Sequence, residues 1–333
     1  MSPRKRRDTA DGNGDAGEDD RFHPEGPAWG LEDRGLLVGV TAWTEPTLVK
    51  SRLFYPEDVT SAEDRLRFYA SRFPITEVDA TYYAPPATTV ADAWARRTPD
   101  QFVFDVKAYR YLTEHPTPPG SLWKDLRSEL PDDLAKKRNV YPKDLPADFY
   151  DEVMRRFLAA LTPLREAGKL GVILFQFPQW FVPSRHAFDR MAQIAEAAAP
   201  DRVAVEFRQH LWLDDRHAET TLNFLTEHDL AYVAVDEPQG FTTSVPPVAA
   251  ATVEDVAVVR FHGRNAETWE KKGVTAAERF AYDYPDDELR GWTSRLATLR
   301  DQAASVHALM NNCYADYGVR NGARLATLLG EQE

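Results

Sequence analysis

Short apolar runs alternate with longer amphipathic stretches along the chain from Leu36 onwards. The run 203–208, Val-Ala-Val-Glu-Phe-Arg, turns polar at its end, where Glu206 and Arg208 stand two positions apart. Residues two apart in a strand lie on one face, so a buried strand here delivers both side chains to a site. Seven other runs end in a comparable way. The eight predicted strands are 37–43, 75–81, 102–107, 170–177, 203–208, 230–236, 256–262 and 306–311.

Helical periodicity fills most of the intervals between these strands. The link 237–254 differs, because it contains three prolines and shows no helical period. The segment 109–146 is polar, rich in proline and too long for an ordinary connection, so we interpret it as an insertion or a lid. The predicted helices are 61–73, 88–97, 147–167, 184–199, 214–228, 286–303 and 319–329.

Eight strands that alternate with helices over about 290 residues predict parallel pairing through crossover helices. The economical architecture is α/β: a closed, TIM-like (β/α)8 barrel that forms a single domain over residues 36–330. An open doubly wound sheet is the alternative, but no glycine-rich phosphate loop follows the first strand. Residues 1–30 hold a basic cluster at 4–7 and few apolar residues, which predicts a disordered tail.

Polar residues occupy the late positions of the predicted strands, and the C-terminal mouth of a barrel is where function resides. The opposite faces carry apolar residues such as Phe104 and Phe261, which suit packing under the helices. The first strand contributes Thr41 or Trp43. The other strands contribute, in order, Glu77 and Asp79; Asp105 and Lys107; Gln176; Glu206 and Arg208; Asp236; Arg260 and His262; and Asn311.

Carboxylates dominate this ring, and crowding pushes their pKa values apart, which supplies one proton donor and one acceptor. Glu206 and Glu77 are the predicted proton-transfer residues, with Asp79, Asp236 and His262 supporting them. The same oxygen and imidazole groups suit a divalent metal, so a metal cofactor stays open although no motif requires one. A purely structural layer of salt bridges is the alternative interpretation of the ring.

The remaining ring residues have the chemistry of a binding site for a small molecule. Fixed cations suit a phosphate or carboxylate of the substrate, and side-chain amides suit its orientation. Tryptophans near strand ends are candidates for stacking on a sugar or a base, although such aromatics also serve simply to pack. The predicted substrate-binding residues are Lys107, Arg208, Arg260, Gln176, Asn311, Trp43 and Trp212.

The composition of the chain bears on its binding partners and its cellular location. Acidic residues outnumber basic ones by 53 to 40, and a net charge of -13 argues against a nucleic-acid partner. No apolar run reaches the length of a membrane span or forms the core of a signal peptide, so we expect no membrane association and a cytoplasmic location. A single cysteine, Cys313, fits a reducing compartment. Nothing in the sequence specifies an oligomeric state.

The chain resembles the DUF72, or YecE-like, family of TIM-barrel proteins from about residue 38 to residue 329. This resemblance implies a (β/α)8-like barrel and no particular activity. Ala42 stands where the family usually has a glycine. The blocks that carry the resemblance, in order, are Gly-Val-Thr-Ala-Trp at 39–43, Phe-Tyr-Pro at 54–56, Glu-Val-Asp-Ala-Thr-Tyr-Tyr at 77–83, Phe-Asp-Val-Lys at 104–107, Gln-Phe-Pro at 176–178, Glu-Phe-Arg at 206–208 with Trp212, Arg-Phe-His-Gly-Arg at 260–264, and Asn-Asn at 311–312.

These patterns predict an enzyme that uses carboxylate acid-base or metal-assisted chemistry on a small polar substrate, anionic or sugar-like, at the mouth of the barrel. A hydrolase is the favoured class, and a lyase or an isomerase fits nearly as well. The alternative is a non-catalytic protein that senses or carries a metabolite in the same pocket.

Overall fold

Eight parallel strands close into a barrel in the order β1 to β8 in this computed structural model, which describes residues 25–331. The predicted barrel is therefore confirmed, and the open sheet is wrong. Several strands end up to three residues earlier than predicted, because their polar last residues leave the ladder at the mouth. The strands are β1 Leu36–Thr41, β2 Ile75–Val78, β3 Val103–Lys107, β4 Leu170–Gln176, β5 Arg202–Glu206, β6 Ala231–Asp236, β7 Val256–Phe261 and β8 Ser305–Met310.

Helices surround this barrel, and the predicted helix 147–167 is two helices because Pro163 lacks the N–H that would continue the first. Residues 46–51 form a short helix that the sequence pattern did not predict. Within residues 25–331 the helices are α1 Pro46–Ser51, α2 Ala62–Arg72, α3 Thr88–Arg96, α4 Lys124–Ser128, α5 Asp132–Ala135, α6 Ala147–Ala160, α7 Thr162–Glu166, α8 Arg185–Ala198, α9 Ala218–Glu227, α10 Ala276–Arg279, α11 Asp286–Gln302 and α12 Tyr317–Gly330. No helix in that range is both long and apolar enough to cross a membrane.

The register of the strands sets which side chains enter the barrel. Glu77 pairs with Thr41 on one side and Asp105 on the other, and Gln176 pairs with Glu206, so polar residues lie side by side on neighbouring strands. Outward residues such as Phe104 are fully buried under the helices. This alternation separates a polar interior near the mouth from an apolar layer outside.

Two glycines lie where neighbouring atoms leave no room for a side chain. A Cβ on Gly39 would lie 2.1 Å from the carbonyl oxygen of Ile75, and one on Gly171 would lie 2.2 Å from Asp105 Oδ1. Atoms at such distances overlap, so any larger residue would displace a neighbour. The polar side chains of the interior therefore depend on small residues opposite them.

The predicted tail ends earlier than residue 30. Residues 25–30 pack on α2, where Ala28 is fully buried and Trp29 Nε1 donates to the carbonyl oxygen of Ala70 at 3.1 Å. Two apolar side chains were enough to order this stretch, contrary to the prediction. The rest of the predicted tail, with the basic cluster at 4–7, lies outside the described residues.

The insertion 109–146 has a folded interior of its own. It contains α4 and α5, and Thr117 forms an antiparallel bridge with Val140. Leu126 and Leu134 are buried, and Tyr150 of α6 donates its hydroxyl to the carbonyl oxygen of Leu112 at 2.9 Å. The segment is thus packed against the barrel, and its role as a lid stays a prediction.

Candidate active site at the barrel mouth

Arg260 lies at the centre of a buried ionic cluster that joins three strands. From β7 its guanidinium donates to both carboxylate oxygens of Glu77, each at 2.7 Å, and to Oε2 of Glu206. All three side chains are 0% exposed. A buried charge is costly unless it is paired, so this arrangement depends on all three groups.

Glu206 contacts four side chains. Its Oε1 accepts a hydrogen bond from Gln176 Nε2 at 2.6 Å, lies 3.0 Å from His262 Nε2 and 3.5 Å from Arg208 Nη1, while Arg260 binds Oε2. Burial alone would raise the pKa of Glu206, but Arg260 and His262 outweigh it and hold that pKa well below its usual range. Glu206 is therefore an ionised carboxylate with both oxygens occupied.

Glu77 behaves in the opposite way. Burial raises its pKa to about 7, which exceeds the opposing attraction of Arg260 and Lys107. One guanidinium shared between two carboxylates cannot compensate both fully, and Glu206 has further donors. The two carboxylates on Arg260 therefore have pKa values shifted in opposite directions.

His262 is held as one neutral tautomer between Asn311 and Glu206. Asn311 Nδ2 donates to His262 Nδ1 at 2.8 Å, so the ring proton resides on Nε2 and points at Glu206 Oε1. Burial lowers the pKa of His262 to about 4, despite the attraction of Glu206. The imidazole is thus an oriented donor to the carboxylate at neutral pH.

The neutral state of His262 predicts a specific pH dependence of stability. Its pKa is about 4 when folded and about 6.5 when unfolded. The unfolded chain therefore takes up the proton first, and stability falls as the pH drops from 6.5 towards 4. We expect urea unfolding of His262→Gln to be less dependent on pH between 6.5 and 4.5, by up to about 1.4 kcal/mol per pH unit. Parallel curves for both proteins would contradict a buried neutral imidazole.

Asp79 and Lys107 form a second pair at the edge of the cluster, where solvent reaches them. Lys107 Nζ donates to Asp79 Oδ1 at 2.8 Å, and the two side chains are 11% and 28% exposed. Burial opposes ionisation of Asp79, but Lys107 outweighs it and lowers the pKa of that carboxyl. Both groups are charged and partly exposed.

Arg208 presents a partly exposed guanidinium at the mouth. Its Nη1 donates to Glu237 Oε2 at 2.9 Å, and its Cζ lies 4.6 Å above the ring of Trp269. Burial raises the pKa of Glu237 to about 8, with Arg208 opposing. Glu237 also accepts from the backbone N–H of Val245, so it fixes the direction of Arg208.

Asp236 does not join the cluster, and the prediction that it faces the interior is wrong. Its carboxylate accepts two bonds from Arg264, at 2.9 and 2.7 Å, one from Tyr284 Oη at 2.7 Å and one from Trp292 Nε1 at 2.5 Å. These partners lie on the helix side of the sheet. Register explains the error, because Val235 rather than Asp236 pairs with Arg260.

Glu237 takes the position predicted for Asp236. A residue two positions beyond Val235 shares its face, so pairing β6 with β7 by their inward residues would have found Glu237. The predicted strand leaves Glu237 out because this residue follows the apolar run and begins the irregular link 237–254.

Trp43 and Trp212 do not stack at the mouth as predicted. Trp43 is 6% exposed and packs edge-on against Trp94 and Phe104, since the positive φ of 64° at Ala42 turns the chain outward. Trp212 is 0% exposed and stacks on Phe207 with ring centroids 4.3 Å apart. Both belong to the core.

Asp105 faces the interior but lies one level below the cluster. Its carboxylate is 2.9 and 3.0 Å from His307 Nδ1, and Oδ1 accepts from the backbone N–H of Val172 at 2.9 Å. Gly171 leaves the space for this carboxylate. Asp105 and His307 therefore brace the barrel beneath the candidate site.

A cavity of about 600 Å³, the mouth cavity, opens above Arg208. The β7–α11 connection roofs the cluster on this side, with Phe280 and Trp269 rings 5.7 and 6.3 Å from the ring of His262. Polar and aromatic side chains line the cavity, and they include His115, Gln176, Trp180, Arg208, Trp269 and Lys271.

His115 connects the mouth cavity to the edge pair. Burial, with Lys107 and Arg110 as further causes, lowers the pKa of His115 to about 3, so its ring is neutral. The cavity therefore offers fixed cations and a neutral imidazole on the same wall.

No group of three or more His, Cys, Asp or Glu side chains within residues 25–331 is placed to hold a metal ion. The carboxylates contact Arg260, Lys107 and Arg264 instead of converging on one point. A divalent metal thus has no ligand set among these residues.

A closed parallel barrel with a charged cluster at the carboxyl ends of its strands defines a TIM-barrel protein with a candidate site at the mouth. The family model described as protein of unknown function DUF72 matches residues 37–333. The chain belongs to the DUF72 family, as its sequence blocks predicted.

Proteins of similar sequence and structure match this chain over nearly its whole length. UPF0759 protein YunF of Bacillus subtilis (strain 168) is 32% identical over 297 residues, which cover 88% of this chain and 94% of that protein. A DUF72 family protein of Thermotoga maritima MSB8 superposes with a TM-score of 0.69 at 29% identity, covering 89% and 99% of the two chains. One from Enterococcus faecalis V583 gives 0.71 at 22% identity, covering 89% and 95%.

Proposed function

We propose that this protein is a cytoplasmic enzyme that transfers protons on a small anionic or sugar-like substrate at the barrel mouth. Asp79 and Lys107 are the reacting groups, and Arg208 holds the anionic part. The observation that carries this proposal is that an ion pair and a guanidinium remain partly exposed beside a fully buried charged cluster.

Asp79 is the proposed general base. It is ionised, and its 28% exposure lets a substrate reach it. Lys107 lies 2.8 Å away and supplies a fixed positive charge, and its Nζ also lies 4.9 Å from the centre of the Tyr82 ring. A carboxylate base beside a fixed ammonium suits proton abstraction next to a carbonyl, because the ammonium stabilises the negative charge that develops there, and it equally suits hydrolysis.

Glu206 and Glu77, predicted as the proton-transfer residues, support this pair from below. Both are enclosed, and Glu206 has both oxygens engaged. We assign them to holding Arg260, His262 and Gln176 in place, which preorganises the charges around the substrate.

A non-catalytic binding protein is the second candidate. The full occupation of Glu206 and the burial of His262 favour it, because groups that already satisfy one another need no substrate. The same anion-binding residues would then serve recognition alone.

Substitution of Asp79 separates the two candidates. The wild type is incubated in D2O with sugar phosphates and hydroxycarboxylates, and proton NMR follows loss of C–H signals and new products. We expect Asp79→Asn to lower turnover by about 10²- to 10⁴-fold, because it removes the base, while calorimetric binding of glucose 6-phosphate persists. Arg208→Gln should instead weaken that binding about tenfold or more.

Asp92→Asn and Arg96→Gln are the matched controls, since that exposed pair on α3 lies away from the mouth. Binding without turnover by the wild type would leave the binding protein as the answer. If neither glucose 6-phosphate nor inorganic phosphate binds, an anion site at Arg208 is refuted.

A further inference from the structure

A second cavity adjoins the mouth cavity. This α8 groove has a volume of about 880 Å³ and lies between α8 and the insertion 109–146. Trp180, in the connection from β4 to α8, lines both cavities. Its side chain is 52% exposed, which is unusual for the largest apolar residue unless the ring serves as a contact surface.

The two cavities differ in charge. The mouth cavity is lined by four basic side chains, Arg208, Lys271, Lys272 and Arg279, against one carboxylate, Glu270. The α8 groove is lined by three carboxylates, Glu114, Asp151 and Glu196, against Lys143 and Arg190. An anionic group is therefore attracted to one cavity and has no such attraction to the other.

The lining of the α8 groove suits an uncharged, hydroxyl-rich molecule. Glu114 accepts from Arg190 Nε at 3.2 Å and lies 2.9 Å from His186 Nε2, so Glu114 and Arg190 engage each other, and Asp151 and Glu196 are the further carboxylate acceptors of the groove. Tyr141 and Trp180 add aromatic surface. Carboxylate acceptors beside aromatic rings are the combination that binds the hydroxyls and the apolar face of a sugar ring.

From these contacts we infer that the substrate is extended, with its anionic group in the mouth cavity and a neutral sugar unit on Trp180 that enters the α8 groove. This inference rests on the proposed function and adds the substrate class, a phosphorylated or carboxylated saccharide longer than one ring. His115 connects the two parts, because its ring lies 5.9 Å from that of Trp180 and lines the mouth cavity.

A uniformly anionic polymer fits the same surface poorly. Each further phosphate beyond the mouth cavity would meet the carboxylates of the α8 groove, and the chain as a whole carries a charge of -13. The groove therefore selects for a neutral continuation of the ligand.

Calorimetric titration tests this inference with a panel of disaccharide monophosphates, with glucose 6-phosphate, inorganic phosphate and the neutral disaccharides as references. We expect at least one disaccharide monophosphate to bind about tenfold more tightly than glucose 6-phosphate. Trp180→Ala should remove that difference by weakening the disaccharide monophosphate about tenfold more than it weakens glucose 6-phosphate. Leu53→Ala, at a residue that is 68% exposed and outside both cavities, is the control.

Failure of this inference is distinguishable from failure of the proposed function. If glucose 6-phosphate binds as tightly as every disaccharide monophosphate, the extended substrate is refuted while the anion site at Arg208 stands. If no phosphate compound binds, the proposed anion site fails. If Trp180→Ala weakens glucose 6-phosphate as much as the disaccharide compounds, Trp180 belongs to the mouth cavity alone and the inference is overturned.

Discussion

Replacement of Arg260 by methionine is expected to lower the free energy of unfolding by about 3–5 kcal/mol. The substitution keeps an apolar side chain in the barrel but removes the guanidinium that binds both Glu77 and Glu206. Two carboxylates would then be buried without their common partner. At least one of them would have to take up a proton or become hydrated inside the barrel. Urea unfolding at neutral pH measures the loss.

A double variant makes the cause of that loss testable. In the Arg260→Met background, Glu77→Gln should restore part of the stability, because it removes one of the two unpaired charges. Arg320→Met is the matched control, since Arg320 is 52% exposed in a surface pair and should contribute far less. Equal losses for Arg260→Met and Arg320→Met would contradict a buried, interdependent cluster.

Asp236→Ala should also lower the free energy of unfolding by about 3–5 kcal/mol, although Asp236 lies outside the candidate site. Its carboxylate accepts from Arg264, Tyr284 and Trp292, and the Tyr284 and Trp292 side chains are buried. Alanine would leave a hydroxyl and an indole N–H without an acceptor. Thermal unfolding monitored by circular dichroism measures the effect.

Ligand binding separates structure from function at this position. Asp236→Asn, which retains one acceptor oxygen, should recover part of the stability and bind anions as the wild type does. Asp92→Ala, in an exposed ion pair with Arg96 on α3, is the matched control for stability. A folded Asp236→Asn protein that loses anion binding would show that Asp236 acts at the mouth after all.

Most of the barrel followed from periodicity, because most helix-facing strand positions are apolar and most polar residues lie at the late inward positions. Glu77, Glu206, Arg260, His262 and Asn311 are brought together as the pattern predicts. The direction of these side chains can be predicted because successive residues of a strand point to opposite faces of the sheet.

The pattern failed where the chain leaves the strands. Asp236 and Glu237 are adjacent acids at a strand end, and only the pairing of Val235 with Arg260 decides which of them faces inward. Trp43 follows Ala42, whose positive φ breaks the alternation. Neither the register nor a backbone dihedral is visible in a single sequence.

Packing between distant loops could not be predicted from the sequence, for a different reason. Trp269 and Phe280 roof His262 from an irregular connection, and Trp180 stands between two cavities because the insertion folds against α8. These placements depend on which loops meet across the mouth. Local propensity carries no information about that.

The cross-barrel bonds of Arg260 also bear on how the protein folds. Arg260 and Glu77 are 183 positions apart, Arg260 and Glu206 are 54 apart, and β2, β5 and β7 are not neighbours in the sheet. Contacts of such separation close long loops, so we expect them to form late in folding. Interactions formed after the transition state act chiefly on the unfolding rate. The cluster that shapes the mouth therefore also prolongs the lifetime of the closed barrel.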